Sequence, residues 1–87
     1  MPHYVYMLKS ISHKKVKTYV GYSINYKRRL IKHNLGEGAK STRGYKWIVI
    51  FKKLFKTKSN ALKFEYELKK NRKKRLTILQ DYYEQRS

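Results

Sequence analysis

The sequence predicts an α+β domain in which a three-stranded antiparallel sheet is flanked by helices. Three observations lead there. Three separate segments are rich in β-branched and aromatic residues, two helical stripes follow the second and third of them, and the first two are joined by a link short enough to require an antiparallel return. At 87 residues the chain, 1–87, makes one small domain with an adequate but not generous core. Neither an internal repeat nor a linker divides it.

Tyr4 to Leu8 reads as the first strand, and the polar, basic stretch Ser10 to Lys17 as a hairpin-like connection. Thr18 to Ser23 is the second strand, in which Gly21 marks a close backbone approach or a bend. A helix follows, with Ser23 or Asn25 as its cap and Gly36 at its end. Tyr26, Leu30 and His33 recur at helical spacing and define its inward stripe. Gly36 to Gly44 holds three glycines and reads as a shaped loop. Trp47 to Phe55 is the third strand, and its run Ile48-Val49-Ile50-Phe51 predicts burial on both faces. Thr57 or Ser59 caps a second helix that extends to about Lys70, with Ala61, Leu62, Phe64 and Leu68 as its buried stripe. Residues 71–87 form a basic C-terminal extension, opening on Arg72-Lys73-Lys74-Arg75 and read as a last helix folding back on the domain.

Charge constrains the partners most. Twenty-three Lys and Arg face five acids, for a formal net charge of +18. Self-repulsion on this scale is relieved by a polyanion, and nucleic acid is the expected one. A membrane surface is the rival, but no amphipathic helix is left over once the core is served. The longest apolar run is far too short to span a bilayer, and nothing near Met1 resembles a signal peptide, so a cytoplasmic protein is expected. Without cysteine there is no disulfide framework and no thiolate metal cage.

The acids that could carry chemistry are few. None precedes Glu37, and the others are Glu65, Glu67, Asp81 and Glu84. A two-metal site needs several convergent carboxylates, which this chain can hardly supply; a one-metal site stays open. Glu65 lies four residues after Ala61 and three before Leu68, on their stripe. It is either one half of a buried ion pair or a metal ligand. Arg29 and His33 project to one side of the first helix, where an arginine can fork a phosphate and a histidine can move a proton. Taken one at a time, each reads first as a surface cation or a core-edge histidine. Tyr6 and Tyr19 read as core residues with their hydroxyls at the sheet edge, where a neighbouring cation would favour the phenolate. The basic run from Lys69 to Arg75 is a phosphate contact or a solvated face.

Taken together, these residues resemble the GIY-YIG nuclease family, and within it the small stand-alone bacterial branch related to junction-cutting and excision-repair nucleases. Tyr4-Val5-Tyr6 is similar to the first triplet and Tyr19-Val20-Gly21 to the second. Ser23-Ile24-Asn25, Arg29-Leu30 and His33-Asn34 follow, then the glycine-alanine-lysine loop from Gly36 to Gly44, then Phe55, Lys58, Ala61, Glu65 and Leu68-Lys69-Lys70 in order. The resemblance implies hydrolysis of DNA phosphodiester bonds by an endonuclease with one divalent ion, Mg2+ or Mn2+, held by Glu65. It implies that Arg29 steadies the scissile phosphate and that Tyr6, Tyr19 and His33 surround the attacking water. Gly21, Asn25, Lys40 and Arg43 are the substrate-binding positions it implies. Single-stranded or branched DNA, a role in DNA repair, and a monomer acting alone or with a protein partner are the expectations that follow. A non-catalytic nucleic-acid-binding module on the same scaffold is the alternative. Two departures stand out: Tyr4 replaces the first glycine, and Tyr22 stands where some relatives carry a lysine, whose part Lys40 is left to take.

Overall fold

The computed structural model describes residues 1–86 and has three strands and three helices. In chain order they are β1 (His3–Ser10), β2 (Thr18–Ser23), α1 (Tyr26–Asn34), a single 3-10 turn (Lys40–Thr42), β3 (Trp47–Phe55), α2 (Lys58–Lys70) and α3 (Arg72–Arg86). The expected α+β architecture is the one observed. The sheet order is β2-β1-β3, with both pairings antiparallel. Ser87, the last residue of the basic extension 71–87, lies outside the described residues.

The first strand, not the third, is the one buried on both faces. Alternate side chains of a strand point to opposite sides. Val5 and Met7 therefore join Val20, Ala61 and Leu68 in a cluster under α2, which Ile78 of α3 completes. Tyr6 and Leu8 join Tyr26 and Trp47 under α1. The expectation that Ile48-Val49-Ile50-Phe51 would be buried on both faces fails, and these residues are only half-buried. β3 is an edge strand, so one side of its ladder has no neighbour to complete the cover. Leu62 also leaves the predicted stripe of α2 and is 41% exposed.

Local chemistry sets where the helices begin. Asn25 Oδ1 accepts from the Arg28 amide at 3.1 Å, and Thr57 Oγ1 accepts from the Asn60 amide at 3.1 Å. Asn25, rather than Ser23, and Thr57, rather than Ser59, are thus the caps. Gly36 sits just past the end of α1 at φ +78°, a conformation that ends a helix and suits glycine. Asn71 separates α2 from α3 and caps α3 through a bond from the Lys74 amide to its Oδ1 at 3.0 Å. α3 folds back as expected, with the Lys9 ammonium 5.5 Å from the centre of the Tyr83 ring. No described helix is long and apolar enough to cross a membrane.

Candidate active site

The β1–β2 register places Tyr6 opposite Gly21. Tyr6 and Tyr19 share the α1 side of the sheet, their ring centres 6.4 Å apart, and His33 comes down onto both from the last turn of α1. Gly21 is what lets the strands hold this arrangement. A β-carbon there would lie 2.5 Å from Tyr6 Oη and 3.0 Å from Tyr19 Cε2.

A directed chain of hydrogen bonds runs through the cluster. Thr42 donates its only hydroxyl proton to the Ala39 carbonyl at 2.7 Å, so its oxygen must accept from His33 Nδ1 at 2.9 Å. That fixes the proton of neutral His33 on Nδ1. Nε2 is left as the acceptor, and Tyr6 Oη donates to it at 2.9 Å. His33 is 0% exposed and Tyr6 1%, so both protonation states follow from burial. Desolvation, and then the Arg29 charge, hold the His33 imidazolium below its usual range. Desolvation pushes the Tyr6 phenol up to about 12, against the pull of Arg29. The sequence-based expectation of a phenolate stabilised by a nearby cation is therefore reversed at Tyr6, because burial outweighs the guanidinium.

These shifts bound the range of maximal stability. Between the unfolded and native His33 pKa values the unfolded chain carries more protons than the native one, so acid destabilises. Thermal stability is expected to fall below about pH 6.5, by up to about 1.4 kcal/mol per pH unit from this residue. At Tyr6 the native state keeps the proton longer, so its contribution fades from about pH 10 to about 12. Melting temperatures across pH for the wild type and His33→Gln check the acid limb, which should flatten in the variant.

Tyr19 differs from Tyr6. It is half-buried, its hydroxyl has no hydrogen-bond partner among the described residues, and it lines an open polar cavity of about 410 Å³ with Thr18, Ser41, Lys69 and Arg75. Arg29 is half-buried beside Tyr6 and also lines a second cavity of about 300 Å³ with Asn25, Arg28 and Lys32. Glu65 lies near enough for its charge to act on Tyr6, and its carboxylate meets Lys69 Nζ at 3.2 Å. The acid is 17% exposed and the lysine 50%, so the ion-pair reading of Glu65 is realised, but in the weak, solvent-screened form.

A metal would find few protein ligands here. Among the described residues no three His, Cys, Asp or Glu converge. One carboxylate suits a hard ion that keeps several waters and shares substrate phosphate oxygens, as Mg2+ does. It does not suit zinc, which takes three or four protein ligands. Mg2+ or Mn2+ at Glu65 therefore fits the donor set.

Of the predicted positions, Tyr6, Tyr19, Gly21, Arg29, His33 and Glu65 come together. Asn25 spends its side-chain oxygen on the helix cap, beside Arg29. Lys40 opens the 3-10 turn and Arg43 follows it, both with exposed side chains outside the hydrogen-bonded cluster. Two residues of that turn region escaped sequence reasoning. Thr42 orients His33, and Gly38 leaves no room for a β-carbon against the imidazole. The only signal was the glycine-rich shape of their loop.

Comparison with known proteins agrees with this geometry. A family model described as "GIY-YIG catalytic domain" matches residues 2–78. A UPF0213 protein of Staphylococcus saprophyticus is 40% identical over 81 residues, covering 91% of this chain and 95% of the relative. A UPF0213 protein of Staphylococcus haemolyticus is 36% identical over the same shares. The solution NMR structure of a UPF0213 protein from Bacillus halodurans is similar at a TM-score of 0.53 and 36% identity, covering 92% of this chain and 84% of that one.

Proposed function

The chain belongs to the GIY-YIG nuclease family, and from that premise we propose that it is a divalent-metal-dependent endonuclease hydrolysing phosphodiester bonds in single-stranded or branched DNA. The observation that carries this is the difference between its two central phenols. Tyr6 is locked as a donor to His33, while Tyr19, whose hydroxyl has no hydrogen-bond partner among the described residues, lines a cavity whose charged residues are Lys69 and Arg75.

Basic surface collects the DNA, and Arg29 takes the scissile phosphate through two of its donors, offsetting charge as it develops on the non-bridging oxygens. Tyr19 Oη holds the attacking water and relays its proton: as the water oxygen bonds to phosphorus, the phenol oxygen accepts the water's proton and passes its own to solvent. The bond to the leaving oxygen breaks in line, and that oxygen is protonated from solvent. Glu65 would hold the divalent ion, whose charge stabilises the leaving oxygen. Tyr6 is a positioning residue: it keeps neutral His33 and the Gly21 backbone in place beneath Tyr19. One active site makes nicking of one strand the natural outcome.

Cleavage of labelled single-stranded, duplex, flap and junction DNA with Mg2+ or Mn2+ tests this. Tyr19→Phe should lower kcat by about 10²- to 10⁴-fold at an unchanged melting temperature, the usual range for a lost acid–base group. Tyr6→Phe should lower the melting temperature as well, since His33 Nε2 loses its buried donor. Wild-type protein that binds every substrate and cuts none would reject the nuclease and favour the non-catalytic binding module.

A further inference from the structure

Arg75 sits on the first turn of α3, where the reversal at Asn71 brings it back under the end of α2. Its Nη1 donates to the Leu68 carbonyl at 2.9 Å and also to the Lys69 carbonyl. This satisfies acceptors left open where α2 ends. The cap uses one nitrogen. Nη2 and Nε have no hydrogen-bond partner among the described residues, although the side chain is half-buried. The guanidinium is thus anchored at one corner and lines the cavity that Tyr19 also lines.

Three features give that cavity the character of an anion site. No acidic residue lines it; its charged groups are Lys69 and Arg75, and the hydroxyl residues Thr18, Tyr19 and Ser41 with Val20 complete the wall. It adjoins the reacting groups, sharing Tyr19 with the catalytic cluster and Lys69 with the Glu65 ion pair. Thr18 and Arg75 also line a smaller cavity of about 180 Å³, together with Arg72 and the apolar Val16, Leu76 and Leu79. On the far side of Tyr6, Arg29 opens onto the cavity with Arg28 and Lys32. Along β2, Thr18 to Val20 line the first cavity and Ser23 the Arg29 cavity, with Gly21, the partner of Tyr6, between them.

We infer that the Tyr19–Arg75 cavity is a subsite for a backbone phosphate of the substrate strand, next to the scissile one, and that Arg75 is its fork. This rests on the nuclease reading for the word substrate, but its binding chemistry stands without it. A guanidinium already held by two carbonyls loses little freedom on closing over a phosphate, and its remaining N–H edge matches two phosphate oxygens. Lys69 has a second consequence here. As a phosphate enters, the lysine has an alternative partner to Glu65, so that filling the subsite frees the carboxylate for its cation.

The test is the affinity of a single-stranded oligonucleotide across a salt series without divalent ions, so that nothing is cut. Arg75→Gln should weaken binding about tenfold, and the slope of log K against log salt should fall by about 0.7, the value for one phosphate on a single strand. Arg75→Lys should recover the slope but not the full affinity, because the fork is missing. Since Arg75 also caps α2, Ser41→Asp is a second variant that leaves the cap intact. Its carboxylate would enter the cavity and should weaken binding at least tenfold, whereas Ser41→Asn should not. Wild-type affinity and slope in both Arg75→Gln and Ser41→Asp would overturn the subsite, as would inorganic phosphate competing as tightly as the oligonucleotide at fixed ionic strength. A wild type that shows the Arg75 dependence but never cuts with Mg2+ would reject the nuclease and leave the subsite standing.

Discussion

Replacing Glu65 by glutamine is expected to lower metal-dependent cleavage by at least about a thousandfold while leaving the fold and metal-free DNA affinity intact. The size follows from what the residue supplies. Metal stabilisation of transition-state charge is worth several kcal/mol, and about 4 kcal/mol corresponds to three decades in rate. No group of three His, Cys, Asp or Glu among the described residues offers an alternative site. Stability should barely change, because the lost Lys69 pair is solvent-screened and such pairs contribute about 0–1 kcal/mol. Glutamine keeps the shape of the side chain and removes one negative charge from a strongly cationic protein. Single-turnover cleavage, thermal melting and metal-free binding separate these quantities. Cutting at the wild-type rate by Glu65→Gln would remove Glu65 from the metal site.

Gly21→Ala is expected to cost both stability and activity. The new β-carbon would lie 2.5 Å from Tyr6 Oη and 2.6 Å from Tyr6 Cζ, closer than real side chains approach. Tyr6 cannot swing clear, since it is buried on the central strand and tied to His33. Overpacking costs about 1–3 kcal/mol, and an orphaned His33 acceptor a similar amount. Gly21 has no positive φ, so alanine strains no backbone and restricts the unfolded chain, which offsets about 0.4–1 kcal/mol. The net loss should be about 2–4 kcal/mol, or roughly 10–25 °C in melting temperature for a domain of this size. Cleavage should fall at least about a hundredfold even at temperatures where the variant is folded, because Tyr19 Cε2 is also within 3.0 Å of the added carbon. Thermal denaturation and single-turnover rates measure the two effects. An unchanged melting temperature would mean that Tyr6 is not held as described.

Most of this site was legible because its parts obey short periods. Alternation along β1 and β2 brought Tyr6, Tyr19 and Gly21 to one face, and helical spacing put Arg29 with His33 and Glu65 with Leu68. Even the partner of Glu65, Lys69, stands one helical turn away. What local pattern could not supply was solvation and long-range pairing. Counting cations predicted an acidified phenol at Tyr6, but burial decided the direction. Thr42 is an unremarked loop hydroxyl until α1 places His33 against it. The run in β3 looked doubly buried because an apolar edge strand and an apolar central strand have the same sequence signature; only the order β2-β1-β3 distinguishes them.

The central position of β1 has a consequence for how function reports on structure. Its even residues Tyr6 and Leu8 serve the α1 side, and its odd residues Val5 and Met7 serve the core under α2. A slip of one residue against β2 would turn Tyr6 into that core and bring Val5 or Met7 to His33. No half-competent arrangement lies between the two registers. On the proposed nuclease reading, turnover is therefore an all-or-none gauge of correct strand pairing, and the active fraction of a preparation counts its properly registered molecules.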